Sequence, residues 1–325
     1  MKSARGGMMA AKNVLFFGDF GIDDIVALMY GYYDDQINII GIVADYGNVS
    51  KQTAINSARY LNFLTKTVDI PIIGGAARPL TGENPVFYPE IHGVQGFGPL
   101  AHEFDSSGEE FENFELIRSL IIQYNYNLTI VNVGRLTSLA TAFVLYPTVM
   151  GMVKEIFVMG GAFLYPGNVT PIAEANFYGD PFAANLVMTL AEKVTIFPLN
   201  VTNYAIIPPE KIQDLDQYYR ENNDEVGKLL KPMIDYYTSF YKKNTPEIAG
   251  GPIHDLLTLW GVGNQGAVTL VEKPVRIIFE PGDARGQSIA DFRPYQKLAD
   301  YPIHRIAIKF NYDVFLNDFL KVMKR

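Results

Sequence analysis

The chain has 325 residues, 48% of them hydrophobic and 19% charged, a composition able to bury a large core and unlike that of a disordered polypeptide. Its formal net charge of -8 lacks the basic surplus of a nucleic-acid binder, so a small-molecule substrate fits better than a polyanion. The absence of cysteine excludes a disulfide scaffold, a thiolate metal site and a cysteine nucleophile, and fits a reducing, cytoplasmic setting.

Met1 to Asn13 carries Lys2 and Arg5 but no long apolar run, so neither a signal peptide nor a membrane span is expected there. Residues 1–12 read as a tail, with Met8 or Met9 as a candidate natural start, and residues 13–325 as one catalytic domain without a linker. Val14 to Phe17 is a short apolar run, followed by a helical pattern from Ile22 to about Tyr33. Ile39 to Ala44 is the next run, then a helix from Ser50 to about Leu64, then Ile70 to Ile73. A helix around Phe114 to Gln123 precedes Leu128 to Val133, and Glu155 to Met159 and Val194 to Leu199 continue the series. Pro208 to Asn244 reads as mostly helical and polar. The tail holds a strand pair, Val275 to Glu280 and Ile303 to Phe310, and a last helix from Asp313 to Lys324. Continuously apolar strands separated by helices predict an α/β protein with a mostly parallel sheet covered on both faces.

In such a sheet, ligands bind beyond the carboxyl ends of the strands. The residues that follow the runs are Asp19, Gly21, Asp23 and Asp24; then Asp45, Gly47 and Asn48; then Gly134 and Arg135; then Gly160 and Gly161; then Asn200 and Thr202. Small, acidic and amide residues collected at one rim suit a cation and sugar hydroxyls. Asp19, Asp23 and Asp24 repel one another unless a cation or proton intervenes, and hard oxygen ligands select calcium or magnesium. A capped helix start is the competing explanation for part of this segment. His254-Asp255, after Gly250-Gly251, suits a metal ligand beside a proton donor, or else an N-cap at Asp255. Gly167 to Asn176 offers Asn168, Glu174 and Asn176 for hydroxyl recognition, or else ordinary turn chemistry.

Together these motifs resemble the inosine-uridine-preferring nucleoside hydrolases over nearly the whole chain. The family's opening Asp-x-Asp-Pro-Gly-x-Asp-Asp appears here as Phe17-Gly18-Asp19-Phe20-Gly21-Ile22-Asp23-Asp24. Gly47-Asn48-Val49, Gly74 to Leu80, Ile91-His92-Gly93, Val133 to Thr137, Met159-Gly160-Gly161, Gly167 to Asn176 with Asp180-Pro181, and His254-Asp255 follow in the family's order. The resemblance implies the nucleoside hydrolase fold, with a Rossmann-like central sheet, and hydrolysis of the N-glycosidic bond of a ribonucleoside. It implies Asp19 as general base toward a water held by calcium (Ca2+). Asp19, Asp24, the Val133 carbonyl and Asp255 are then the metal ligands, and Asp23, Asn48, Asn168, Glu174 and Asn176 the ribose contacts. His254 stands near the leaving base, His92 on the base side, and Tyr237 and Tyr241 over the base. A homodimer or homotetramer is implied too.

Four positions depart from the family pattern. Phe17 stands for the first Asp, Phe20 for Pro or Thr, Arg135 for the Pro of Gly-Pro-Leu-Thr, and Asn200 for the Asp of Leu-Asp-Val-Thr. At Phe17, altered hydrogen bonding around the site rather than loss of the metal is the expectation; at the others, altered efficiency or substrate. A nucleoside-binding homologue without catalysis is the alternative. A magnesium phosphohydrolase with an Asp nucleophile lacks its phosphate-binding lysine motif here.

Overall fold

A computed structural model describes residues 10–104, 112–294 and 300–324. Residues 1–9 of the expected tail lie outside the described residues, and the first strand opens at Lys12. The strands are β1 (Lys12–Gly18), β2 (Ile37–Ala44), β3 (Ile72–Gly74), β4 (Leu128–Asn132), β5 (Glu155–Met159), β6 (Val194–Phe197), β7 (Val268–Ile277), β8 (Ser288–Ala290) and β9 (Ile303–Phe310). They form one sheet in the order β3-β2-β1-β4-β5-β6-β9-β7-β8. Every pairing from β3 through to β9 is parallel, and β7 and β8 continue antiparallel. The α/β fold and mostly parallel sheet expected from the sequence are therefore present.

Period-two alternation distributes β1 between two cores. Phe16 joins the apolar cluster on one face, with Ile25, Trp260 and Phe315; Leu15 and Phe17 join the other, with Leu139, Phe177 and Val187. Two helices start as the sequence suggests. Ile22–Tyr33 begins after Gly21, and Lys51–Thr65 is capped by Ser50, whose hydroxyl accepts the Thr53 N–H at 3.1 Å.

Some elements escape the sequence patterns. Helix His254–Gly263 is buried at nearly every position, so it carries no amphipathic period to read, and helix Thr137–Leu145 is similarly apolar. Strand β7 starts seven residues before Val275, because Thr269, Glu272 and Lys273 interrupt its apolar run. Strand β8 has only three residues, too few to show alternation. No described helix is long and apolar enough to cross a membrane.

The chain builds β2 and β3 outward on one side of β1, then β4, β5 and β6 outward on the other. The order of winding reverses between β1 and β4. That reversal opens a crevice at their carboxyl ends, into which Asp19 and Arg135 are delivered.

Candidate active site

Asp19 follows the last residue of β1 and is 1% exposed. The backbone N–H and side-chain amide of Asn48 donate to its two carboxylate oxygens at 3.0 and 2.9 Å. Gly47 makes this approach possible: a Cβ there would lie 1.8 Å from Asp19 Oδ2. The same Oδ2 accepts a hydrogen bond from Arg135 Nη1, forming a buried ion pair. Asp24 accepts the N–H groups of Asp19 (3.0 Å) and Gly21 (2.7 Å), so it holds the turn and opens the helix.

Oxygens of Asp23, Asp24 and Asp255 lie within 4.8 Å of one another, and all three residues are buried. Asp255 stands in the first turn of helix His254–Gly263, with Ile253 in the N-cap place, so the capping alternative for Asp255 does not hold. Asp23 Oδ1 has no hydrogen-bond partner. Burial, then the charge of Asp19, pushes the Asp23 carboxyl up to about 7. Burial first, and the neighbouring carboxylates second, raise Asp24 and Asp255 well above the usual range. Oxygen donors driven toward protonation by burial and mutual repulsion are a set that a hard divalent cation would keep ionised. The residues present therefore fit such an ion. The ligand set implied by resemblance also included Asp19 and the Val133 carbonyl. Here Asp19 pairs with Arg135 through Oδ2 while its Oδ1 shares the Asn48 side-chain amide with Asp24 Oδ2 (2.9 and 3.4 Å), and the Val133 oxygen accepts the Asn176 amide at 2.6 Å.

A cavity of about 730 Å³ opens above this floor. Asp23, Asn48, His92, Val133, Arg135, Asn168, Glu174, Asn176, Tyr237, Tyr241, His254 and Asp255 all line it, while Asp19 and Asp24 lie behind that lining. Glu174 caps helix Ala175–Gly179 and accepts the N–H groups of Gly161 (2.8 Å), Asn176 (2.8 Å) and Phe177 (3.1 Å). Asn168 is exposed, and its side-chain oxygen accepts the Ala175 N–H at 2.9 Å, so turn chemistry and a place on the cavity wall coexist. His92 Nδ1 accepts the Ile22 N–H at 3.1 Å, and burial, then the charges of Arg135 and His254, push the imidazole down to about 3. It is a neutral ring that fixes the entry to helix Ile22–Tyr33.

Across the cavity runs a chain of polar side chains. Tyr237 Oη donates to Asp23 Oδ2 at 3.5 Å and lies 3.2 Å from Tyr241 Oη. Tyr241 Oη lies 3.3 Å from His254 Nε2, and His254 Nδ1 lies 2.8 Å from Thr202 Oγ1. Both tyrosines come from helix Leu230–Asn244, one turn apart. Burial pushes His254 down to about 4, so at neutral pH it is an uncharged imidazole. The sequence placed Thr202 at the rim without a partner; only the fold shows it orienting His254.

The departures have distinct consequences. Phe17 is wholly buried in the apolar cluster beneath β1, so no carboxylate is offered there. Phe20 has φ of 54°, which a proline ring, held near -65°, does not reach. The Asn200 amide accepts the Phe163 N–H at 3.0 Å and donates to the Phe163 carbonyl at 2.7 Å. An ionised carboxylate could make only the first of these bonds, so the amide adds a second hydrogen bond to the Phe163 backbone.

The family model for inosine-uridine preferring nucleoside hydrolases matches residues 14–317. The chain is 27% identical over 317 residues to the inosine-uridine preferring nucleoside hydrolase of Crithidia fasciculata, covering 97% of this chain and 98% of that protein. It is 30% identical over 265 residues to uridine nucleosidase 1 of Arabidopsis thaliana, covering 80% and 76%. Among solved structures it resembles a plant nucleoside hydrolase with a TM-score of 0.88 at 25% identity, covering 96% of this chain and 99% of that one. With sheet, crevice and carboxylate group in agreement, the chain belongs to the inosine-uridine preferring nucleoside hydrolase family.

Proposed function

We propose that this nucleoside hydrolase binds a ribonucleoside with its sugar on the acidic floor and its base against the tyrosine–histidine wall, and cleaves the N-glycosidic bond to ribose and a free base with the help of calcium. The observation that carries the reading is the convergence of Asp23, Asp24 and Asp255, from opposite ends of the chain, beneath a cavity walled by hydrogen-bonding side chains. Asp23, Asp24 and Asp255 would hold the ion, which when bound acidifies water and anchors sugar hydroxyls.

The chain's own groups account for the remaining steps. Asn48, Asn168, Glu174 and Asn176 orient the ribose hydroxyls by hydrogen bonds. Bond breaking develops positive charge on the sugar, and the carboxylates of Asp23 and Glu174 at the cavity wall favour that charge. Asp19 takes the proton of the attacking water. Burial raises its pKa while Arg135 and the Asn48 N–H oppose that rise, and so favour the ionised form that can act as a base. The departing base receives a hydrogen bond or proton from the His254 and Tyr241 pair, whose polar atoms lie 3.3 Å apart. His92 shapes the base side. Water attacking directly gives inversion at the anomeric carbon.

A panel of purine and pyrimidine nucleosides, assayed for ribose release with and without a chelator, tests this. Release that stops with chelator and returns with calcium is expected. Tight nucleoside binding with no release from any member of the panel would overturn it. Assembly as a homodimer or homotetramer, implied by resemblance, is checked by light scattering.

A further inference from the structure

Arg135 has more hydrogen-bonding capacity than its neighbours use. It is 3% exposed and sits where the family motif carries a proline. Among the described residues both of its hydrogen bonds leave from Nη1, one to Asp19 and one, at 3.3 Å, to Asn176 Oδ1. A guanidinium presents five N–H groups, so those of Nη2 and Nε remain without an acceptor. The side chain is nonetheless held in place. Its guanidinium carbon lies 5.7 Å from the centre of the Tyr88 ring, and Gly179 supplies room for its stem: a Cβ there would lie 2.8 Å from Nε and 2.9 Å from Cγ. Nε is thus packed against Gly179, and Nη2 is the end left for a ligand. Arg135 lines the same cavity as Asn48, Glu174 and Asn176, which orient the ribose in the reading above.

We infer that Arg135 is a sugar-contacting residue: its Nη2 donates to a ribose hydroxyl oxygen on the edge of the sugar that Asn176 holds. A proline at this position has no donor for that contact. Donors left unpaired in a buried site are costly until an acceptor arrives, so the free end of the guanidinium favours a bound oxygen. Charge selects the kind of acceptor. Arg135 is the one fixed cation among the described residues that line the cavity, while Asp23, Glu174 and Asp255 line it and Asp19 and Asp24 lie just behind. An anionic substituent on the sugar would meet the repulsion of these carboxylates, whereas an uncharged hydroxyl takes the hydrogen bond without that penalty. Nη1 keeps Asp19 throughout. One planar group then fixes the hydroxyl relative to the carboxylate that serves as general base.

The inference deepens the sugar-binding reading above and rests on it. Deleting hydroxyls from the substrate, crossed with Arg135→Met in the full chain, tests the two separately. The nucleoside cleaved fastest by the native chain and its 2′-, 3′- and 5′-deoxy analogues are compared by kcat/KM. Hydroxyl loss also changes the reactivity of the glycosidic bond, and Arg135→Met also frees Asp19, but both effects cancel in the double cycle. For at least one hydroxyl, and not for all three, deletion should cost the native chain at least about fivefold more than it costs Arg135→Met. If Arg135→Met does not fold, Gly179→Ala supplies the same cycle, since its methyl displaces the guanidinium while the backbone there needs no positive φ. Where a variant turns over too slowly to follow, calorimetric affinity for ribose and its deoxy analogues gives the cycle without chemistry. An excess below about fivefold at every hydroxyl, or one spread over all three, overturns the inference and leaves the nucleoside hydrolase reading standing. No ribose release from any nucleoside by the native chain overturns that reading and this inference with it.

Discussion

The floor of the cavity and its base-side wall are built differently. The floor is made of short turns after β1, β2 and β4, where Asp19, Asn48 and Arg135 meet through backbone that approaches closely at Gly47. It is crowded with charge, and its geometry depends on which carboxylate is paired with which cation. The wall is made of helix faces: Tyr237 and Tyr241 from Leu230–Asn244, and His254 at the start of its own helix. Its groups are neutral and joined by a chain of hydrogen-bond contacts ending at Thr202. The floor is therefore governed by charge, including the buried Arg135–Asp19 ion pair, while the wall is governed by neutral hydrogen bonding. Catalytic failure at the floor should be general, and failure at the wall should depend on the leaving group.

The sharpest break of that contrast is Asp19→Ala. Turnover should fall by about 10³-fold or more on every nucleoside, with ribose binding still measurable; near-normal rates would remove Asp19 from the base role. Next, Asp255→Asn should weaken calcium binding by about 100-fold, read by calorimetry, and an unchanged affinity would take Asp255 out of the metal group. At the wall, His254→Ala should slow a purine nucleoside by about 10- to 100-fold and a nitrophenyl riboside far less. Equal losses on both substrates would refute leaving-group assistance. Tyr241→Phe, which removes one hydroxyl from the wall, should cost less than about tenfold, again mainly on poor leaving groups.

A control lies outside both regions. His304 is fully buried; the Val194 N–H donates to its Nδ1 at 3.0 Å and its Nε2 lies 2.8 Å from the Met188 carbonyl. Burial, the largest influence, lowers its pKa from the ordinary 6.5. The folded imidazole resists a proton that the unfolded one accepts, so its stabilising contribution is present above pH 6.5 and is lost as pH falls below it. His304→Leu should lower stability by about 1–3 kcal/mol, remove that part of the acid slope in thermal melts, and leave turnover unchanged on both substrate classes. A selective change in turnover would mean that the wall extends further into the fold than its contacts suggest.

Much of the fold is legible locally. Helix Ile22–Tyr33 and strand β5 occupy the spans their patterns suggest, because apolar periodicity and the turn residues beside them agree. Helix His254–Gly263 is not legible that way, because total burial erases its period. At the site, residue types were readable: acids after β1, amides around Gly167, a histidine beside Asp255. Their pairings were not. Asn200 looked like a loss of charge until its amide was seen to use both a donor and an acceptor on Phe163.

The sequence by itself determined the alternation of strands and helices, the family, and the set of polar residues delivered to one rim. Each of these follows from short-range pattern. Only the tertiary structure decided that Asp23, Asp24 and Asp255 converge, and that Arg135 reaches across from β4 to pair with Asp19. Such contacts depend on a few ångströms between residues more than a hundred positions apart, where burial strengthens every charge–charge interaction.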